Sequence, residues 1–368
     1  MAWPDFRPTG NQSPLSGKST GVPGFLPSIP WPIGPSVAVF AVAGLVTIIG
    51  SVRLVALGDA LADRTGWGEA VFGVVFFGVA TGLSGIVMTA VTAATGHPDL
   101  GYSNAVGGIA AQTTAVAVAD AFYRSVNLEH AAASLSNLLF GCLLIALLAL
   151  TLLGSFTPDV TVGGLHPVSI VIVACYLGGL RLIRTAGTRP MWNPVATTET
   201  RPDVPQEHGV LDGHGLPSLW LRFVLAGVVV ASSGWAVSLA AESVVETTGL
   251  TAGFTGGVLL GIVNGLPETV TAIAAVRQGA LTLAVAAVLG GNILDVITVV
   301  VGDVAYRHGS IYHAAGTDDL LITTTGLFMT TALLGGLLVR QACGWGRLGF
   351  EGVILVASYL GMTAMLTL

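Results

Sequence analysis

The chain has 368 residues, of which 53% are hydrophobic and only 9% charged, with a formal net charge of −6. A soluble domain carries about 25% charged residues, so this composition excludes a water-soluble globule and predicts a polytopic membrane protein surrounded by the lipid bilayer. No nucleic-acid partner is expected.

Residues 1–35 are rich in Pro, Gly and Ser and are predicted to form a disordered tail. They lack the basic-then-apolar pattern of a cleaved signal. At about 20 apolar residues per crossing, spans are predicted at about 36–57, 67–95, 99–123, 131–154, 165–183, 218–241, 250–277, 280–305, 319–340 and 348–367. Residues 185–217 form the one long polar linker. It separates a first five-helix unit, 36–184, from a second, 218–368.

Five spans per half make the second half enter the membrane from the opposite side. The halves also share residues at one offset. Asp120 and Asp303 both begin D-x-x-Y-R, 183 positions apart, and the same shift pairs Gly82-Leu83 with Gly265-Leu266 and Gly107-Gly108 with Gly290-Gly291. The predicted fold is therefore an all-α polytopic membrane protein of about ten transmembrane helices in two inverted five-helix repeats, an architecture of secondary transporters. With the linker cytoplasmic, Arg64, Arg124, Arg181, Arg184, Arg189, Arg201, Arg222, Arg277, Arg340 and Arg347 fall on one side, and Arg7, Lys18 and Arg307 on the other. The positive-inside rule then places both termini outside the cytoplasm. High Ala, Gly and Val, with Arg over Lys, suggests a bacterial inner membrane.

Chemistry concentrates in residues 261–303. Glu268 and Asp295 lie within long apolar segments, and a carboxylate at bilayer depth is costly enough to mark an ion path or proton relay. Pro267 is expected to break or kink the seventh helix, freeing carbonyls around Gly261 and Asn264 to line a cavity. Asn264 and Glu268, four apart, share a helix face, as do Gly291 and Asp295. These hard oxygen ligands suit Na⁺ or Ca²⁺. Burial and mutual repulsion of the two carboxylates would let protons compete with the metal.

The run GLPETVTAIAAVRQG followed by GGNILDVITVVVG resembles the second alpha-repeat of the cation/calcium exchanger superfamily, which includes the sodium/calcium exchangers. The family pattern is approximately G-[TS]-S-x-P-E, a helix, then G-S-N-I-x-[ND]. The resemblance implies a cation antiporter working by alternating access at a midplane carboxylate site. It assigns Glu268 to the ion-binding glutamate, Asp295 to the acid or amide of the paired helix, and Asn264 to a hydroxyl position. Gly265 and Gly291 stand where ligand serines are usual. In the first repeat Thr81 matches a hydroxyl ligand, Ser84 stands in the place of the proline, Gly85 in that of the matching glutamate, and Gln112 in that of the paired Asn or Asp. The candidate ligands for the transported cation are thus Glu268, Asp295, Asn264, Gln112, Thr81 and Ser84.

With carboxylates from one repeat only, Na⁺/H⁺ or Ca²⁺/H⁺ exchange is expected ahead of multi-sodium calcium exchange. The alternative, prompted by Gly85, is a degenerate non-transporting scaffold or sensor of the same fold. No enzyme is expected: H-E-x-x-H, G-x-S-x-G and a phosphate loop are all missing. No cofactor is expected beyond the transported Na⁺ or Ca²⁺ and H⁺.

The remaining polar residues have structural expectations. Asp120/Arg124 and Asp303/Arg307 read as interfacial i,i+4 salt bridges, or as gates. Glu242, Glu246, Asp59 and Asp63 read as solvated helix ends, His97 as interfacial, and Arg53 as snorkelling. The threonine runs at 89–95 and 323–325 read as packing glue, and Cys142, Cys175 and Cys343 as small buried hydrophobes.

Overall fold

The computed structural model describes residues 31–65, 78–123, 126–188, 190–195, 215–342, 344 and 349–368. Most of the predicted tail, the start of the second predicted span, the middle of the linker, Arg124, Arg189, Cys343 and Arg347 lie outside the described residues, as do the side chains of Asp59, Asp63, Arg64 and Thr81.

Among the described residues twelve helices follow in order: α1 (Ile33–Thr65), α2 (Gly78–Ala94), α3 (Pro98–Phe122), α4 (Leu128–Ala132), α5 (Leu135–Gly154), α6 (Pro167–Thr188), α7 (Leu216–Thr248), α8 (Gly261–Gln278), α9 (Leu281–Ala305), α10 (Ile311–Ala314), α11 (Thr317–Val339) and α12 (Phe350–Met365). A short turn, Ala252–Phe254, and a π-helical stretch, Thr255–Leu260, lead into α8. Among the described residues eight helical segments are long and apolar enough to cross a membrane, and two shorter apolar helices accompany them. The protein is an integral membrane protein.

The inverted repeat is visible helix by helix. α1 and α7 start 183 residues apart, α3 and α9 both start and end 183 apart, and α4 with α10 and α6 with α12 start 183 apart. The turns around α4 and α10 dock reciprocally. The His130 ring Nδ1 meets the Arg340 carbonyl at 2.6 Å, and the His313 ring Nε2 meets the Thr157 carbonyl at 2.6 Å. Each contact maps onto the other under the same shift, as a pseudo-twofold axis requires.

α3 and α9 are buried on most sides and form the centre with α2 and α8; a helix buried all round needs no polar face. α1 packs along α7 outside them. Val42, Leu45 and Ile49 of α1 and Val224 and Val228 of α7 point outward, as suits lipid. At 33 residues α1 is about 50 Å long, more than the about 30 Å hydrocarbon thickness, so it tilts or protrudes. That is why the first and sixth predicted spans came out too short.

Three glycines set the central crossing and two of the turns. A Cβ on Gly107 of α3 would fall on the backbone of Gly257 in the π stretch, 2.6 Å from its carbonyl carbon; only glycine permits this approach. Gly96 and Gly279, again 183 apart, hold φ of +95° and +82° in the α2–α3 and α8–α9 turns, a region that L side chains rarely enter.

Several expectations need correction. The fourth predicted span merges α4 with α5. Ser134 starts a new helix by accepting a hydrogen bond from the Asn137 amide, so an apolar run is split by a cap. Pro267 lies inside α8, which continues past it; the backbone departs from α geometry upstream, at Thr255–Leu260. Cys142 is exposed and Cys175 half-buried: α5 and α6 present them on or near the bundle surface, where a small apolar side chain meets lipid without penalty.

Candidate functional site

The central four helices bring one cluster of polar side chains together. From α8 come Asn264 and Glu268, one turn apart; from α9, Asn292 and Asp295; from α3, Gln112 and Thr113; and from α2, the backbone at Gly85. All six of these side chains are buried.

Asp295 is the hub. Its Oδ2 accepts from Gln112 Nε2 at 2.8 Å and its Oδ1 from Asn264 Nδ2 at 3.0 Å. Both amides therefore turn an oxygen-bearing end elsewhere, and Gln112 Oε1 has no hydrogen-bond partner among the described residues. Glu268 is 5% exposed, and its Oε2 also lacks a partner. A Cβ on Gly291 would sit 2.6 Å from Gln112 Oε1 and 3.2 Å from Glu268 Cγ, so the Gln112 oxygen and the Glu268 side chain converge at that glycine. Among the described residues neither carboxylate pairs with Arg, Lys or His. Two buried carboxylates without a cationic side chain leave a strong demand for positive charge.

The glycines of this cluster answer to its amides. A Cβ on Gly108 would come within 2.5 Å of Asn264 Nδ2 and 2.7 Å of Asp295 Oδ2. A Cβ on Gly85 would collide with the Asn264 carboxamide. Asn264, longer than a hydroxyl side chain, thus occupies the room beside Gly85, and Gln112, longer than Asn, occupies the room beside Gly291. The smaller residues in one repeat and the larger ones in the other are matched in volume.

A second row of polar groups was not predicted. Asn292 Nδ2 donates to Thr113 Oγ1 at 2.8 Å. Asn104 Nδ2 donates to Thr89 Oγ1 at 2.9 Å and to the Gly85 carbonyl at 3.3 Å. Asn104, Gly108 and Gln112 are four apart on one face of α3, and Thr89 lies four beyond Gly85, so extending the i,i+4 pattern by one turn finds Asn104 and Thr89. Of the predicted ligands, Glu268, Asp295, Asn264 and Gln112 come together. Ser84 is buried, but its backbone packs on Gly234 of α7 and its hydroxyl has no hydrogen bond to the cluster. Thr81 stands on α2, its side chain outside the described residues.

A family model described as sodium/calcium exchanger protein matches residues 35–182 and 218–368. The chain belongs to the sodium/calcium exchanger family. Three solved structures share its fold at low identity. "Structure of native YfkE" has a TM-score of 0.61 at 15% identity, covering 91% of this chain and 92% of that one. "Crystal Structure of H+/Ca2+ Exchanger CAX" has a TM-score of 0.64 at 12%, covering 90% and 85%. The sodium-calcium exchanger NCX_Mj has a TM-score of 0.52 at 14%, covering 90% and 99%. No curated protein matches the chain by sequence.

Other polar residues of this exchanger-family chain sit differently from expectation. Asp303 does not bridge to Arg307: its Oδ2 accepts from the His166 amide at 2.8 Å and Ser169 Oγ at 2.7 Å, and its Oδ1 from the Ile311 amide at 3.2 Å. Asp120 accepts from the Leu128 amide at 2.6 Å, the pseudo-symmetric equivalent, and Arg124 lies outside the described residues. Each aspartate captures the amide eight residues on, a local bond that holds the returning turn. Glu242 is not a solvated end: it is 6% exposed and accepts from Thr95 Oγ1 at 2.6 Å. Glu246 stands 3.9 Å from the half-exposed His97. The threonines do act between helices: Thr89 Oγ1 donates to the Gly101 carbonyl and Thr323 Oγ1 to the Tyr102 hydroxyl.

Proposed function

We propose that the chain is a secondary active cation antiporter that exchanges Na⁺ or Ca²⁺ for H⁺ by alternating access at the Glu268–Asp295 cluster. The supporting observation is Asp295 held by one amide from each repeat, with Glu268 buried beside it and no cationic side chain among the described residues to neutralise the pair. Two carboxylates balance one Ca²⁺, or one Na⁺ with one proton. The neutral oxygens of Gln112 and Asn264 supply further hard ligands. Such a site has too little negative charge to hold Ca²⁺ and several Na⁺ together, so proton-coupled exchange is favoured. Because the amides come from both repeats, rocking one repeat against the other would alter access without dismantling the ligand set.

The degenerate-scaffold reading is disfavoured by the volume match at Gly85 and Asn264: a decayed site has no reason to refill the space of a lost side chain. The antiporter reading divides the chain into a tail (1–35), two five-helix units (36–184 and 218–368) and a cytoplasmic linker (185–217), with both termini outside a bacterial inner membrane.

The test is pH-gradient-driven uptake of Na⁺ and Ca²⁺ into proteoliposomes, wild type beside Glu268→Gln. Uptake of either ion, lost in the variant, is expected. Folded wild type that moves neither ion, or a variant that transports normally, would overturn the proposal.

A further inference from the structure

A second group of carboxylates lies apart from the transport cluster, at the linker end of the bundle. Asp120 ends α3, Glu129 stands in α4 and Glu351 opens α12; each is 1% exposed. Among the described residues, Asp120 Oδ2 and both carboxyl oxygens of Glu129 and of Glu351 have no hydrogen-bond donor. Glu129 and Glu351 meet carboxyl to carboxyl. The Glu351 side chain is also pressed against Gly336 of α11, where a Cβ would lie 2.8 Å from its Cδ.

The pseudo-twofold axis supplies a control. The equivalent corner holds Asp303, Tyr312 in place of Glu129, and Val168 in place of Glu351. There Asp303 is satisfied by three donors, and the Tyr312 hydroxyl meets Ser169 Oγ at 2.9 Å. That corner closes the same turn with one buried carboxylate, Asp303; Asp159, 3.7 Å from His313, is exposed. The two extra glutamates of the first corner therefore exceed what the architecture needs, and their unpartnered oxygens are aimed at each other.

Three negative charges cannot stay buried together unpaired. Two carboxyl groups in contact are held by a proton between them, as in carboxyl pairs that share one. The remaining charge of the pair then sits at the first turn of α12, where the helix dipole favours an anion.

We propose that this corner is a proton-binding site in which Glu129 and Glu351 share one proton, and that losing it releases the α3–α4 turn from α11 and α12. Burial first, then the charges of Asp120 and Glu351, push the Glu129 carboxyl well above the ordinary carboxylate range. The stabilisation is complete at acid pH and is lost as pH rises through that raised value. Among the described residues the other charged or titratable groups at this end are Asp120 on α3, His130 beside Glu129 on α4, Arg340 ending α11 and Arg277 near the end of α8, whose guanidinium lies over the Phe122 ring. The Arg340 guanidinium donates to the His130 and Val195 carbonyls, and the nearby α9 end contributes no titratable residue. Arg124 and Arg347, close in sequence, lie outside the described residues. With the linker cytoplasmic, as proposed, this site senses cytoplasmic pH independently of the transport cluster.

The experiment is hydrogen–deuterium exchange of the full chain in lipid nanodiscs at about pH 6 and about pH 9, comparing wild type with Glu129→Gln/Glu351→Gln. After correction for base-catalysed exchange, the Asn127 and Leu128 amides of wild type are expected to lose at least about tenfold in protection at high pH. The double variant, whose two amides do not titrate, is expected to keep its protection. Wild-type protection independent of pH, or an unchanged pH response in the double variant, would overturn the proposal. So would high-pH protection that EDTA abolishes, which would make the corner a metal site. A variant that unfolds is distinguished by its global exchange, and Glu129→Gln alone then serves: it must flatten the response.

Discussion

Gln112 and Asp295 occupy the same position in the two repeats, 183 residues apart, and are joined to each other by a 2.8 Å hydrogen bond. The pseudo-twofold axis therefore passes through the candidate site, and symmetry mates have diverged into a donor and an acceptor. Had both stayed carboxylates they would have repelled across the axis; an amide facing an acid converts that repulsion into a bond. Gln112→Ala removes the donor and leaves a buried Asp295 oxygen unsatisfied, at a cost of about 1–3 kcal/mol. The expected outcome is a rise of about tenfold or more in the half-saturating cation concentration of proteoliposome uptake. An unchanged value would remove Gln112 from the site.

Restoring the glutamate missing from the first repeat should fail by itself. Gly85→Glu drives its side chain into the Asn264 carboxamide, and overpacking of this kind costs about 1–3 kcal/mol. Shortening the neighbour, as in Gly85→Glu/Asn264→Thr, reopens the space. The pair is expected to show a favourable coupling of about 1 kcal/mol or more in thermal unfolding, and its third carboxylate should shift uptake toward the divalent ion. Additive behaviour would refute the volume match.

The two glycines Gly107 and Gly290 are symmetry mates with opposite surroundings. A Cβ on Gly107 meets the Gly257 backbone, whereas one on Gly290 meets nothing within 4 Å. Gly107→Ala is therefore expected to lower the unfolding temperature in detergent. Gly290→Ala should leave it unchanged or raise it, since alanine gains about 0.5–1 kcal/mol over glycine in a helix interior. Equal effects would contradict the close crossing of α3 with the π stretch.

A pH dependence of stability follows from Glu129. Its carboxyl is raised by burial, then by Asp120 and Glu351, so the wild-type corner is fully stabilised below the unfolded-state value of about 4.3 and weakens as pH climbs through the raised one. Glu129→Gln keeps the neutral form throughout. Thermal unfolding of variant and wild type should coincide at acid pH and diverge in the variant's favour at alkaline pH. Divergence in the opposite sense would show that Glu129 is charged in the folded protein.

Much of the fold is legible because the bilayer imposes a strong, local rule: spans must be apolar for about 20 residues. The 183-residue offset survives in Asp120 and Asp303 because each captures the amide eight residues on, a local role that tolerates little change. The expected Asp303–Arg307 ion pair was misread for the same reason. Spacing of four suggests a helical pair, yet the donors that claim Asp303 come from His166 and Ser169, more than a hundred residues away. Pro267 misled in a similar way. It marks a weakened helix, but the strain is absorbed upstream, where glycines allow the π turn to pack on α3.

Sequence alone determined the class, the inverted repeat and the acids Glu268 and Asp295, because hydropathy, offset and the cost of a buried charge are properties of residues in order along the chain. Tertiary structure alone decided that Gln112 and Asn264 both grip Asp295, that Asn264 fills the room beside Gly85, and that Glu129 meets Glu351. Those relations depend on which helix faces cross, and crossing is set by steric fit between residues far apart in the chain, which no local pattern records.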